Sequence, residues 1–120
     1  MSKKPPHNFT EIQIGGQRVQ GLALDLQSRC AHWHSDLDVV ALRMPGDEVF
    51  YACYECYEAI HHQLPPRWKK EDFEEAEAIL CGNCGTVMNV RTYLSSNNQC
   101  PNCQASFNPG CAKHYHFYFE

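Results

Sequence analysis

Cys81-Gly82-Asn83-Cys84-Gly85 and Cys100-Pro101-Asn102-Cys103 decide the fold, and fifteen residues separate Cys84 from Cys100. C-x2-C-x15-C-x2-C is the spacing of a four-cysteine zinc site. Two sulfurs on one corner reach the same ion only if the chain between them turns sharply. Gly82 and Gly85 supply that turn in the first corner, and Pro101 presets φ in the second. Cys81, Cys84, Cys100 and Cys103 are therefore the first candidate ligand set.

Working upstream, Cys30, His32, Cys53 and Cys56 form a second set, with twenty residues between His32 and Cys53. A hairpin over Val39–Ala52 would bring the two halves together. Both sets are closed tetrahedral spheres of protein ligands, so two zinc ions per chain are expected. A catalytic zinc keeps a position for water, and these sets leave none. With no Ser/His/Asp arrangement and no phosphate loop, the chain is not expected to be an enzyme. Cys111 and His114 make a further pair, with His34, His62 and His116 as possible partners. A thiol and a histidine packed in an aromatic C-terminus is the alternative reading. His61-His62 reads as a solvated loop pair, and a remnant enzyme holding a metal on His61, His62 and Asp47 is its rival.

A chain of 120 residues is expected to form a single domain over 1–120. Its apolar residues lie in short runs between cysteines, so metal is expected to supply much of the folding free energy, on the order of 10 kcal/mol per structural zinc. No apolar leader and no run of membrane-spanning length is visible. The expected location is therefore intracellular, cytoplasmic first, with the mitochondrial intermembrane space as the alternative in a eukaryote. In a reducing compartment the eight cysteines read as ligands rather than disulfides. The formal charge is -4, and zinc-bound thiolates make it more negative. That balance argues against nucleic acid, and Lys3-Lys4 and Lys69-Lys70 are too dispersed to reverse it. The expected partner is another protein, with Trp33, Tyr54, Tyr57 and Trp68 the aromatics to examine, either for contact or as covers over the metal sites.

The pattern predicts a small zinc-stabilised α+β domain with short β-hairpins, zinc knuckles and one main helix. Residues 1–10 read as a flexible arm, 20–68 as a first zinc lobe, and 69–120 as a helix plus the four-cysteine lobe. Ile12 and Ile14 alternate with polar residues, Gly15-Gly16 makes a two-residue turn, and Val19 to Leu22 returns. Val39 to Leu42 and Val49 to Ala52 are strands around Pro45-Gly46-Asp47. Phe73, Ala76, Ile79 and Leu80 recur at helical spacing and predict an amphipathic helix from Lys69 to Leu80, with the glutamates outward. Thr86 to Tyr93 and Tyr115 to Phe119 read as strands.

The runs Leu24-Asp25-Leu26-Gln27, Cys30-Ala31-His32-Trp33, Asp38-Val39-Val40-Ala41 and Tyr51-Ala52-Cys53-Tyr54-Glu55-Cys56 resemble the CHY-type zinc finger family. So do Ala78-Ile79-Leu80-Cys81-Gly82-Asn83-Cys84, Cys100-Pro101-Asn102-Cys103 and Phe107-Asn108-Pro109-Gly110-Cys111 with His114. The resemblance implies a compact zinc module. The family includes a mitochondrial intermembrane-space factor that helps small Tim proteins mature, and the N-terminal module of some RING ubiquitin ligases. No RING is present, so ligase activity is not implied. A zinc- or thiol-handling factor that delivers metal to client proteins or removes it from them is the alternative function. A labile site is then expected at Cys111/His114 or in the first ligand set. The family's further zinc uses a Cys-Cys pair and two histidines. Here the pair corresponds to Gly46 and Asp47, and one histidine position to Tyr57, with His62 near the other, so that zinc is expected to be missing.

Overall fold

Gly15 and Gly16 carry φ of 58° and 82°, the positive pair of a type I′ turn whose twist matches the strands it joins. Strand β1 (Phe9–Ile14) is thereby laid antiparallel on β2 (Gln17–Leu22), with Ile12 opposite Val19. The computed structural model describes residues 9–25, 27–30, 39–107 and 118–119. Phe9 and Thr10, expected in the arm, belong to β1.

Strands β3 (Val40–Arg43) and β4 (Phe50–Tyr51) form the second hairpin around Pro45-Gly46. Chain order continues through helix α1 (Tyr54–His61), β5 (Ile79–Cys81), β6 (Val87–Met88) and helix α2 (Val90–Leu94). Among the described residues the strands form one six-stranded sheet ordered β1-β2-β4-β3-β5-β6, in which β2 and β4 run parallel.

The central strands are buried on both faces, which is why they read as unbroken apolar runs. Val40, Leu42, Tyr51, Ile79 and Cys81 face one cluster with Phe73, Val90, Tyr93, Phe107 and Phe119. Ala41, Phe50 and Leu80 face the other way, with Ile14 and Val19. The sheet also curls until its ends meet. A Cβ on Gly15 would lie 2.6 Å from the carbonyl oxygen of Gly85, beside β6.

The helix expected over Lys69–Leu80 does not form. Lys70–Asp72 is a single 3-10 turn, and Ile79–Cys81 is strand β5. The carbonyls such a helix would use are taken by other elements. Ala76 accepts from Val90 N at 3.1 Å and Phe73 from Arg91 N at 3.0 Å. Glu74 accepts from Asn89 Nδ2 at 3.0 Å, and Glu77 from the Arg43 guanidinium at 2.9 Å. The main helix is instead α1, which the sequence reading passed over. Thr86–Tyr93 is likewise not one strand: it is strand only at Val87–Met88, then Asn89 caps α2, its Oδ1 accepting from Thr92 N at 2.7 Å. Of the strand expected over Tyr115–Phe119, residues 115–117 lie outside the described residues. Phe119 bridges Trp68, and Tyr118 O accepts from Trp68 N at 2.7 Å.

Candidate metal centres

Strand β4 runs into Cys53, whose sulfur accepts from Cys56 N at 3.3 Å and so caps α1. The Cys53/Cys56 corner is thus the first turn of a helix. The α1 helix ends at His62, in the left-handed region with φ 60°, its N–H donating to Glu58 O. The corner meets Cys30, whose Sγ lies 3.6 Å from that of Cys53. All three sulfurs lie within 4.8 Å of one another. They sit in an apolar nest with Leu22 and Ala52, and Leu22 N donates to Cys56 Sγ at 3.4 Å. Gly21 lets the strand approach closely there: a Cβ on it would lie 2.7 Å from Leu24 Cδ2 and 3.2 Å from Cys56 Sγ, so both side chains would have to shift. His32, the expected fourth ligand, lies outside the described residues.

At the second centre, Cys81, Cys84, Cys100 and Cys103 also lie within 4.8 Å of one another. Cys81 ends β5, and Gly82 N donates to Val39 O at 2.6 Å, pinning the knuckle to the chain entering β3. The two knuckles repeat one pattern. Backbone amides of Asn83 and Cys84 face the Cys81 sulfur, and those of Asn102 and Cys103 face Cys100. The amides of Thr86 and Ala105 do the same for Cys84 and Cys103. The knuckles also reach across. Asn83 Nδ2 donates to Cys103 Sγ at 3.4 Å, and Asn102 Nδ2 to Cys84 Sγ at 3.5 Å.

The donor sets fit a thiolate-bound cation. Sulfurs 2.3 Å from a tetrahedral zinc stand about 3.8 Å apart, whereas a disulfide holds them at about 2.05 Å. The separations are 3.8 Å for Cys81–Cys103, 3.8 Å for Cys84–Cys100 and 3.6 Å for Cys30–Cys53. The protonation preferences agree. The Cys30 thiol beside it helps push Cys56 up to about 12, and neighbouring Cys30 and Cys56, then burial, drive Cys53 up further. Such crowded sulfurs ionise together only around a positive charge. Burial likewise raises Cys81 and Cys100. Burial opposes the Cys84 thiolate too, but Thr86 and Asn102 outweigh it and hold that thiol at about 6; the Asn83 amide lowers Cys103.

The structure thus assembles seven of the eight expected ligands into two clusters. Cys111 and His114 lie outside the described residues, as does Trp33. Tyr57 is buried rather than presented to a partner, and Tyr54 and Trp68 pack half-buried against the core. His61 is no loop residue: it ends α1, stacks on Tyr57 at 4.3 Å and meets the Tyr51 hydroxyl at 2.8 Å. The sequence reading missed this contact. Its signal was the spacing of Tyr54, Tyr57 and His61, three and four residues apart along one helix face.

A curled sheet with one main helix and two metal-competent cysteine clusters defines a small cysteine-centre protein. Its relatives make the assignment specific. The chain is 42% identical over 102 residues to "Helper of Tim protein 13" of Kluyveromyces lactis, covering 85% of this chain and 88% of that protein. It is 38% identical over 104 residues to the protein of the same name in Saccharomyces cerevisiae, with 85% and 90% covered. A Schizosaccharomyces pombe protein is 40% identical over 103 residues, with 85% and 88% covered. The chain belongs to the helper of Tim protein 13 family. No protein-family model matches it, and no solved structure does. No helix among the described residues is long and apolar enough to cross a membrane.

Proposed function

We propose that this chain is a non-enzymatic zinc protein of the mitochondrial intermembrane space that assists cysteine-bearing import proteins, small Tim proteins among them, by binding them. One observation carries the reading: seven cysteines stand in two clusters at tetrahedral thiolate spacing, on a chain whose relatives are named as helpers of a Tim protein. Zinc is the cation these soft, redox-silent, four-fold sites suit best. His32 is proposed to complete the first sphere. The resemblance to the intermembrane-space member of the zinc finger family, supported by relatives named for a Tim protein, favours that compartment over the cytoplasm expected from the sequence.

The CHY-type zinc finger is the proposed fold family, and the reading rests on the knuckle spacings. At the positions where that family holds a further zinc, Asp47 accepts from the Tyr51 hydroxyl at 2.9 Å, and Tyr57 is buried. Two zinc ions rather than three follow.

A second reading, transfer of zinc or handling of thiols for the client, is favoured by the exposure of Cys84. The sequence points to Cys111/His114 or the first cluster for lability; the described part of that cluster is buried, so the second cluster is the better candidate.

Elemental analysis of protein prepared without added metal should give about two zinc ions per chain. One or none would sink the two-site reading, and three would bring in Cys111/His114 or His62. The zinc-loaded chain should retain a purified small Tim protein on a column, and the metal-stripped chain should not. Equal retention would show that the clusters do not shape the binding surface.

A further inference from the structure

A turn that contributes no ligand joins the two centres. Asp25 Oδ1 accepts from Gln27 N at 2.8 Å and from Arg29 N at 3.0 Å, and Asp25 N donates to Arg29 O at 3.0 Å. The Arg29 guanidinium donates to Asp25 Oδ2 and, at 2.9 Å, to Gln27 Oε1. The turn is thus closed on itself, and the residue that follows it is Cys30 of the first centre. Its other side sits on the knuckle of the second. A Cβ on Gly82 would lie 2.1 Å from Gln27 O and 2.5 Å from Ser28 Oγ, so only bare backbone lets the turn seat there. Ser28 is buried with φ 67°, and its Oγ has no hydrogen-bond partner among the described residues. A left-handed serine and an unpartnered buried hydroxyl both oppose folding, so the contacts around them hold the seat in place.

The connection continues to sulfur. Gln27 Nε2 donates to Asn83 Oδ1 at 2.8 Å, and Asn83 Nδ2 donates to Cys103 Sγ at 3.4 Å. Both ends of the Asn83 amide are used, so Gln27 orients the N–H that faces the sulfur. At the other end, Ser28 and Cys30 are two residues apart, at most about 7 Å along the chain. We propose that the turn closed by Asp25 and Arg29 is a strut coupling the two metal centres, so that an ion in one tightens the hold of the other on its own. This rests on the reading that both clusters hold zinc. Zinc in the second cluster makes Cys103 a thiolate, which accepts from Asn83 more strongly than a thiol does. Asn83 then fixes Gln27, Gln27 fixes Arg29, and Cys30 is placed to meet Cys53 and Cys56. Linkage makes the effect reciprocal. Asp25, Gln27 and Asn83 are positioning residues, since none of them belongs to either ligand set.

The test starts from the zinc-loaded full chain with its metal content measured, equilibrated in chelator buffers of graded free zinc. Alkylation followed by peptide mass spectrometry reads the protection of Cys30, Cys53 and Cys56, and so the occupancy of the first centre alone. Gln27→Ala and Asn83→Ala keep every ligand. Each should raise the free zinc that protects half of those three cysteines by about fivefold or more, and the double variant should be no worse than either single one. With the second centre disabled by Cys84→Ser, the same Gln27→Ala change should have no effect. A general loss of stability would instead multiply through these combinations. Unchanged protection in the single variants, multiplied losses in the double variant, or an undiminished Gln27→Ala loss beside Cys84→Ser would overturn the strut while leaving two zinc sites in place. A starting content below two ions would overturn the zinc reading and the proposal together.

Discussion

Tyr51 joins two segments that no backbone ladder connects. Its hydroxyl donates to Asp47 Oδ2 at 2.9 Å in the β3–β4 turn and lies 2.8 Å from His61 Nε2 at the end of α1. Asp47 is itself fixed, accepting from Val49 N at 3.1 Å. Tyr51→Phe keeps the ring that packs edge-on to Tyr57 but strands two polar groups, at a cost of about 1–2 kcal/mol. Denaturant unfolding of both proteins in excess zinc measures it. Burial, then the hydrogen bond to Asp47, raises the Tyr51 hydroxyl well above its ordinary 10.0. The folded chain therefore keeps this proton where the unfolded chain has lost it, so the contribution is whole below pH 10 and declines as pH rises beyond it. Tyr51→Phe should lose less stability than the native protein over that alkaline range. Parallel alkaline limbs would show that the hydroxyl is not held as described.

At the scale of elements, α2 determines what the chain before β5 becomes. The N–H groups of its first residues occupy the carbonyls of Phe73 and Ala76, so the segment wraps that helix end instead of coiling on itself. The Phe73 ring is buried, edge-on to Phe119 at 5.8 Å and under the Arg91 guanidinium at 5.7 Å. Phe73→Ala should cost about 3–5 kcal/mol, and Glu75→Ala, on the exposed side, within about 0.5 kcal/mol. Urea midpoints of the two variants in excess zinc check the contrast, and equal effects would contradict this packing. Sequence periodicity assigned the faces of this segment correctly: Phe73, Ala76, Ile79 and Leu80 are buried, and Glu71, Glu74, Glu75 and Glu77 are exposed. It misassigned the element, because burial at that spacing does not distinguish a helix from a turn followed by a strand. The β1–β2 hairpin was legible because Gly15-Gly16 specifies its turn locally. The α1 helix was not, since its cap is Cys53, a residue whose spacing advertises a metal corner rather than a helix start.

Over the whole molecule, the two centres hang from one sheet but bear different loads. The first joins the end of β4, the first turn of α1 and the segment before β3, and it lies against β2 through Leu22 N. The second closes the β5–β6 knuckle onto the chain after α2, while β5 itself stays paired with β3 through Val40–Cys81, Ala41–Leu80 and Leu42–Ile79. The cysteine spacing disclosed the second centre in full, because both of its corners are local. Of the first it disclosed Cys30, Cys53 and Cys56, through an inferred hairpin that β3 and β4 supply, while His32 lies outside the described residues. Unequal load predicts unequal damage. If both clusters hold zinc as proposed, a lost ligand at either forfeits folding free energy on the order of 10 kcal/mol for a structural zinc, and Cys56→Ser also puts a hydroxyl into a buried apolar nest. The two losses together exceed the lower end of the roughly 5–15 kcal/mol stability of small domains, so Cys56→Ser should lack a cooperative unfolding transition even in excess zinc. In Cys84→Ser the altered atom faces solvent and adds no buried polar group, and β5 beside it is held to β3 by three paired residues. That variant should bind one ion, retain native far-ultraviolet dichroism and unfold cooperatively at a lower denaturant concentration. Zinc analysis with denaturant titration separates the cases, and a Cys84→Ser protein as disordered as Cys56→Ser would show that the exposed centre carries the sheet as well.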